Sequence, residues 1–283
     1  MLDDLKISPM SMADLRMVLA WAEVEGWNPG VADASAFHAA DPEGFFLARI
    51  GADPIAAISV VNHDPRNAFL GLNICREDMR GKGIGLATWT HGLEHAGKRS
   101  VGLDGVPEQE ANYAASGFVK TGSSLRHVGR WEARTSDAVR AFQTNDLTSL
   151  LKLDRAATGY ARTSYMTAWF TPEARLRSTL VLVQDGEITG SATWRRCCEG
   201  TKIGPIFAPD LAGALDLIGA VATERPDGPL IVDVPEANAE LCRALEGAGF
   251  EIPFATARMY RGAVPEGGHG LQAITTIELG QSP

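Results

Sequence analysis

Apolar positions in this chain recur at two spacings, alternate residues in short runs and every third or fourth residue in longer ones, which separates strands from helices. From the N-terminus the pattern predicts a strand over 5–8, a helix opened by Ser11 and running over 13–25, and a short helix over 33–40. Three strands follow over 44–50, 54–62 and 68–75, the first two joined by Gly51-Ala52-Asp53. A helix over 86–96 carries Leu86, Trp89, Thr90 and Leu93 at helical spacing. A strand over 100–103, a helix over 108–116 and a strand over 118–130 complete the series.

The second half repeats this outline. It predicts a strand over 139–143, helices over 147–157 and 164–170, and strands over 180–184 and 190–195 around the turn Asp185-Gly186. A strand over 202–207, a helix over 211–223, a strand over 230–234 and a helix over 238–247 follow. Asp104-Gly105-Val106-Pro107, leading to Ser116-Gly117-Phe118, is echoed by Asp233-Val234-Pro235, leading to Ala248-Gly249-Phe250. A divergent duplication fits this echo. At 283 residues the chain accommodates two domains, and we place them at 1–133 and 134–283.

Composition narrows the function classes. With 45% hydrophobic residues the chain can build real cores. The 26 basic residues against 35 acidic ones leave a net charge of -9, which argues against nucleic acid as a partner. It weakly favours a cationic or amine substrate. No apolar run approaches the roughly 20 residues that cross a bilayer, so no membrane association is expected. The start, Met1-Leu2-Asp3-Asp4, lacks a signal peptide's basic and apolar regions. Cys75, Cys197, Cys198 and Cys242 have no zinc or redox spacing. His91 and His95, the one i, i+4 histidine pair, are read as the solvent face of a helix, so no metal is expected. A reduced, cytoplasmic compartment follows.

The chemistry concentrates between the strand at 68–75 and the helix at 86–96, in Arg80-Gly81-Lys82-Gly83-Ile84-Gly85. A glycine-rich turn opening a helix exposes backbone N–H groups at the positive end of the helix dipole and holds phosphate. A Cβ would keep the backbone from closing around the ligand. Arg80 and Lys82 add charge where a diphosphate would lie. Lys82 is followed by Gly83, so this is no P-loop, and neither Gly81-x-Gly83-x-x-Leu86 nor Gly83-x-Gly85-x-x-Thr88 completes a dinucleotide fingerprint.

The six residues fit the Arg/Gln-x-x-Gly-x-Gly/Ala signature of GCN5-related N-acetyltransferases (GNAT), and the chain resembles that family. The element order β-α-α-β-β-β-α-β-α-β matches its mixed α/β fold. The resemblance covers nearly the whole chain, from Glu25-Gly26-Trp27-Asn28-Pro29-Gly30 to Ile277-Glu278-Leu279-Gly280, and implies two tandem GNAT-like domains. Residues 80–85 then hold the pyrophosphate of acetyl-coenzyme A (acetyl-CoA), joined by Asn112 and by the strand-end backbone of Asn73-Ile74-Cys75-Arg76. That strand carries a bulge in the family, and its free N–H groups bind pantetheine and the thioester oxygen. In Ala111-Asn112-Tyr113-Ala114-Ala115-Ser116-Gly117-Phe118, Tyr113 stands where the family's tyrosine protonates the departing thiolate. The second half reads Gly204-Pro205-Ile206-Phe207-Ala208-Pro209-Asp210 where a phosphate loop should be, and Leu245 where the tyrosine should be. It resembles a degenerate domain, with Asp210 an ordinary N-cap.

The expected activity is direct transfer of acetyl from acetyl-CoA to a primary amine of a small molecule or peptide. Many relatives deprotonate the amine with a glutamate on the strand before the loop, and none is present here. Asp104, placed just past its strand and pointing toward the cleft, and Glu25, beside Trp27, are the candidate bases. Asp104 can equally be a turn-forming Asp-Gly, and a water relay needs no dedicated base. Trp27, Asn28 and Asn73 are candidates for contacting the acceptor. An acyl-Cys75 intermediate is disfavoured, since no histidine lies close in sequence. A non-catalytic acyl-CoA sensor is the alternative function, and a homodimer is left open.

Overall fold

A computed structural model describes residues 4–267. The start at Met1-Leu2-Asp3 and the late Ile277-Glu278-Leu279-Gly280 lie outside the described residues. The first half contains β1 (Leu5–Pro9), α1 (Met12–Val24), α2 (Asp33–Ala40), β2 (Phe45–Ile50), β3 (Asp53–Asn62) and β4 (Asn67–Cys75). It continues through α3 (Ile84–Ala96), β5 (Ser100–Gly105), α4 (Glu110–Ala115) and β6 (Val119–Gly129). The second contains β7 (Val139–Ala141), α5 (Leu147–Thr158), α6 (Thr163–Phe170), β8 (Arg177–Gln184), β9 (Glu187–Arg196) and β10 (Thr201–Phe207). It ends with α7 (Leu211–Glu224), β11 (Leu230–Pro235), α8 (Ala239–Gly247) and β12 (Glu251–Arg261). Local chemistry explains the helix ends. Ser11 and Asp14 form a reciprocal capping box on α1, and Gly159 closes α5 in the left-handed conformation at φ 83.

The described strands form one sheet in the order β1-β2-β3-β4-β5-β12-β6-β11-β10-β9-β8-β7. The halves are therefore interlocked. The last strand of the second half sits between β5 and β6, and the last strand of the first half sits between β12 and β11. The sequence pattern misses β12. Pro253 interrupts its alternation at a register shift, and its neighbours β5 and β6 are remote in sequence, so no hairpin turn announces it.

Two ion pairs, each on a buried aspartate, hold the exchanged strands. Arg258 on β12 lies opposite Asp104 on β5 and donates to both carboxylate oxygens, at 2.5 and 2.8 Å. Arg126 on β6 lies opposite Asp233 on β11 and does the same, at 2.8 and 3.3 Å. Burial works most strongly against the charge on Arg258, yet the Asp104 carboxylate together with Tyr260 and Tyr160 holds the guanidinium pKa above its ordinary value. The repeated aspartates of the sequence are thus equivalent anchors for two reciprocal crossings.

Apolar packing spans the junction as well. Leu15, Val18 and Phe37 share one core with Tyr165, Met166 and Trp169 of the second half. Phe37 stacks on Trp169 at 5.9 Å and 7°. On the other face, Ala257 and Met259 of β12 belong to the core under α3 with Leu70, Trp89 and Leu103. The loop after α1 docks on the β9–β10 turn, where the Asn28 side chain donates to the Glu199 carbonyl and accepts its N–H. Buried Lys202 donates to the Trp27 carbonyl at 2.8 Å.

Removing one partner of a buried pair strands the other charge and costs about 3–5 kcal/mol. Arg258→Ala is expected to lose that much in urea unfolding of the whole chain, whereas Asp104→Leu with Arg258→Met recovers most of it. An unchanged Arg258→Ala midpoint would show that the pair does not hold β12.

Candidate active site

The cleft begins with a defect in β4. Pairing with β3 shifts register between Ala57–Ile74 and Ser59–Gly71, and Leu72 bulges out at φ 46. Parallel pairing with β5 stops at Leu70–Leu103. Beyond that point the two strands part, leaving 71–75 with an edge toward the cleft. Asn73 and Cys75 line it. Ile74, paired with Ala57 of β3, buries its side chain in the core beneath α1 and does not line the cleft.

The glycine-rich loop closes one end. Gly81 and Gly83 sit at φ 75 and 80, the region that favours glycine, and Gly83 starts α3 with no side-chain cap. The first N–H groups of a thirteen-residue helix therefore keep their capacity for an anion. Cβ atoms built on Gly81 and Gly85 meet nothing within 4 Å, so open space lies over the loop. Ile84 is buried with Ile55 and anchors it from below. Lys82 turns back to the Asp78 carbonyl at 2.8 Å. Arg80 lines the cleft, its Nε donating to the Cys75 carbonyl at 3.0 Å.

Tyr113 closes the other side of this cleft of about 630 Å³. Its ring stacks on Trp89 at 5.6 Å and 18°. It also lies so close to β5 that a Cβ on Gly105 would come within 2.1 Å of it. Glycine at 105 is thus a requirement of the tyrosine's position. Burial pushes the phenol up to about 12, so it keeps its proton throughout the neutral range. Asn112 also lines the cleft and donates to Gln109 at 2.6 Å. Burial raises the Cys75 thiol above its ordinary value, which disfavours a thiolate there.

Several expected site residues are placed elsewhere. Asp104 is neither a cleft base nor a turn residue. The strand extends to Gly105, and the carboxylate is buried against Arg258. Glu25 is not free beside an acceptor, because its carboxylate is ion-paired to Arg80 of the loop at 2.7 Å. Trp27 is buried in the shared core and Asn28 is committed to Glu199, so neither lines the cleft. His91 and His95 are half-buried rather than solvent-facing. Both meet the Phe46 ring, and His95 bonds to Asp41. Among the described residues no cluster suits a metal, and no helix is long and apolar enough to cross a membrane.

Trp89, Leu86 and Gln109 were missed as cleft residues. Trp89 and Leu86 follow the apolar helical pattern, which does not distinguish a core face from a cleft wall. The corresponding place in the second half differs chemically. Asp210 Oδ1 accepts the Gly213 N–H and caps α7 itself, as an ordinary N-cap does. Leu245 is buried among apolar side chains, and the Trp169 indole donates to the Gly204 carbonyl at the β10 register shift.

Residues 12–122 match the model of the acetyltransferase (GNAT) family, and residues 150–270 match an acetyltransferase (GNAT) domain. The chain is 35% identical to holothin acyltransferase of Pseudoalteromonas sp. (strain SANK 73390) over 276 residues, 96% of this chain and 93% of the relative. A Pyrococcus horikoshii protein solved as a candidate acetyltransferase superposes with a TM-score of 0.79 at 17% identity, over 96% of this chain and 95% of that one. A tandem GNAT protein from the clavulanic acid biosynthesis pathway does so with a TM-score of 0.62 at 15% identity, over 92% of this chain and 99% of that one.

Gly83→Asp puts a carboxylate at the uncapped start of α3. Calorimetry is expected to show loss of acetyl-CoA binding while cooperative unfolding is retained. Normal binding by this variant would mean that the loop does not hold the diphosphate.

Proposed function

This chain belongs to the GNAT acetyltransferase family, whose members use acyl-CoA, and from that premise we propose that it is an N-acetyltransferase working through its N-terminal half. The donor is acetyl-CoA and the acceptor a primary amine, reacting directly in a ternary complex. The C-terminal half is a degenerate copy that completes the sheet and holds the loop after α1. One observation carries the reading: the uncapped glycine loop, the splayed β4 edge and the protonated Tyr113 meet in one cleft.

In the proposed reaction the amine nitrogen attacks the thioester carbonyl carbon. The C–N bond forms, the C–S bond breaks, and the electron pair leaves with sulfur. Backbone N–H groups of Asn73 and Cys75, on the strand edge turned away from β3, face the developing oxyanion, where each such donor is worth roughly 2.7–4 kcal/mol. Tyr113 gives its proton to sulfur and regains one from solvent. Asp104 is held by Arg258 and Glu25 is not among the residues that line the cleft, so a water relay carries the amine proton away. The relative named a holothin acyltransferase makes holothin the first acceptor to offer.

Titration with acetyl-CoA is expected to saturate at one cofactor per chain, followed by thiol release with holothin or a related amine. Two sites would overturn the reading of the second half, and no binding at millimolar cofactor would overturn the acetyltransferase reading. Tyr113→Phe should keep cofactor affinity and lose about 10²–10⁴-fold in turnover. With its proton held to about pH 12, Tyr113 should impose no fall in turnover between pH 7 and 10. Undiminished turnover of Tyr113→Phe would remove it as the acid.

A further inference from the structure

The ion pair at the mouth of the cleft joins two residues with competing demands. Arg80 spans the site, with Nε on the Cys75 carbonyl and Nη2 on Glu25 Oε1. Arg80 is also the loop's cation on the cleft wall, where a diphosphate lies in the proposed reaction. Glu25 caps the C-terminal end of α1, so the negative end of that helix dipole points to the same place. We infer that Glu25 is a built-in competitor of the cofactor's diphosphate for Arg80, setting cofactor affinity below what the loop alone would give.

Backbone and neighbouring contacts make Glu25 suited to this role. Its N–H is held by the Trp21 carbonyl, and the Val31 N–H donates to Arg196 of the second half. Together with the Asn28–Glu199 pairing and the Lys202 bond, these contacts fix the loop's backbone from the far side. The Glu25 side chain, one-third exposed, stays free to turn into solvent when a second anion reaches Arg80. A carboxylate and a diphosphate on one guanidinium repel, and the tetherless end of that contest is the glutamate. The second half thus reaches the cofactor cleft indirectly, by fixing where the competing carboxylate hangs.

This inference rests on the acyl-CoA reading of the cleft, and the test separates the two. Calorimetry compares the native chain with Glu25→Gln, using acetyl-CoA and S-acetylpantetheine, which lacks the diphosphate. Glu25→Gln should tighten acetyl-CoA binding about two- to five-fold, the scale of a partly exposed ion pair. The gain should shrink as salt rises and be absent for S-acetylpantetheine. Unchanged or weaker acetyl-CoA binding by the variant, or an equal gain for both ligands, overturns the inference. Loss of turnover at saturating cofactor with unchanged affinity also overturns it, returning Glu25 to the role of base. If the native chain itself binds no acetyl-CoA, the cofactor reading fails first.

Discussion

Two aspartate–arginine pairs, their carboxylates buried, are the constraint on which the rest of this molecule depends. Each joins the penultimate strand of one half to the last strand of the other. A buried carboxylate is tolerable only with its arginine in register, so the pairs specify which strand fills which gap. With both in place, neither half has a complete sheet without its partner, and the cores on both faces draw on both halves.

The cleft inherits its geometry from this arrangement. β5 must be held firmly on its β12 side for β4 to part from it on the other, and Arg258 supplies that hold beside the point where the strands separate. Gly105, adjacent to Asp104 in the same strand, then admits the Tyr113 ring. The second half keeps the same frame with different contents. Its helix start is satisfied by its own aspartate, its tyrosine position is apolar, and its bulge is bonded by an indole. The two halves share the scaffold interactions and differ in the cleft chemistry.

Much of this was legible because it is written locally. Helix and strand periodicities, the Ser11 cap, the Asp185-Gly186 turn and the glycine loop each depend on residues within a few positions of one another. The glycine-rich loop needed no partner to be read, since its backbone conformation and its adjacent helix are properties of one segment. The two matching aspartates were legible as an echo, but their function was not, because each arginine lies on a strand contributed by the other half.

The sequence by itself determined the family, the order of elements as far as α8, the loop at 80–85 and the position of Tyr113, because short-range spacing and side-chain type specify them. Only the tertiary structure decided what the remaining polar residues do. Asp104 became a strand anchor, Glu25 the partner of Arg80, and Asn28 a clasp on the second half. The physical reason is common to all three: a carboxylate or amide takes its role from the partner that satisfies it. Here those partners lie 154, 55 and 171 residues away along the chain.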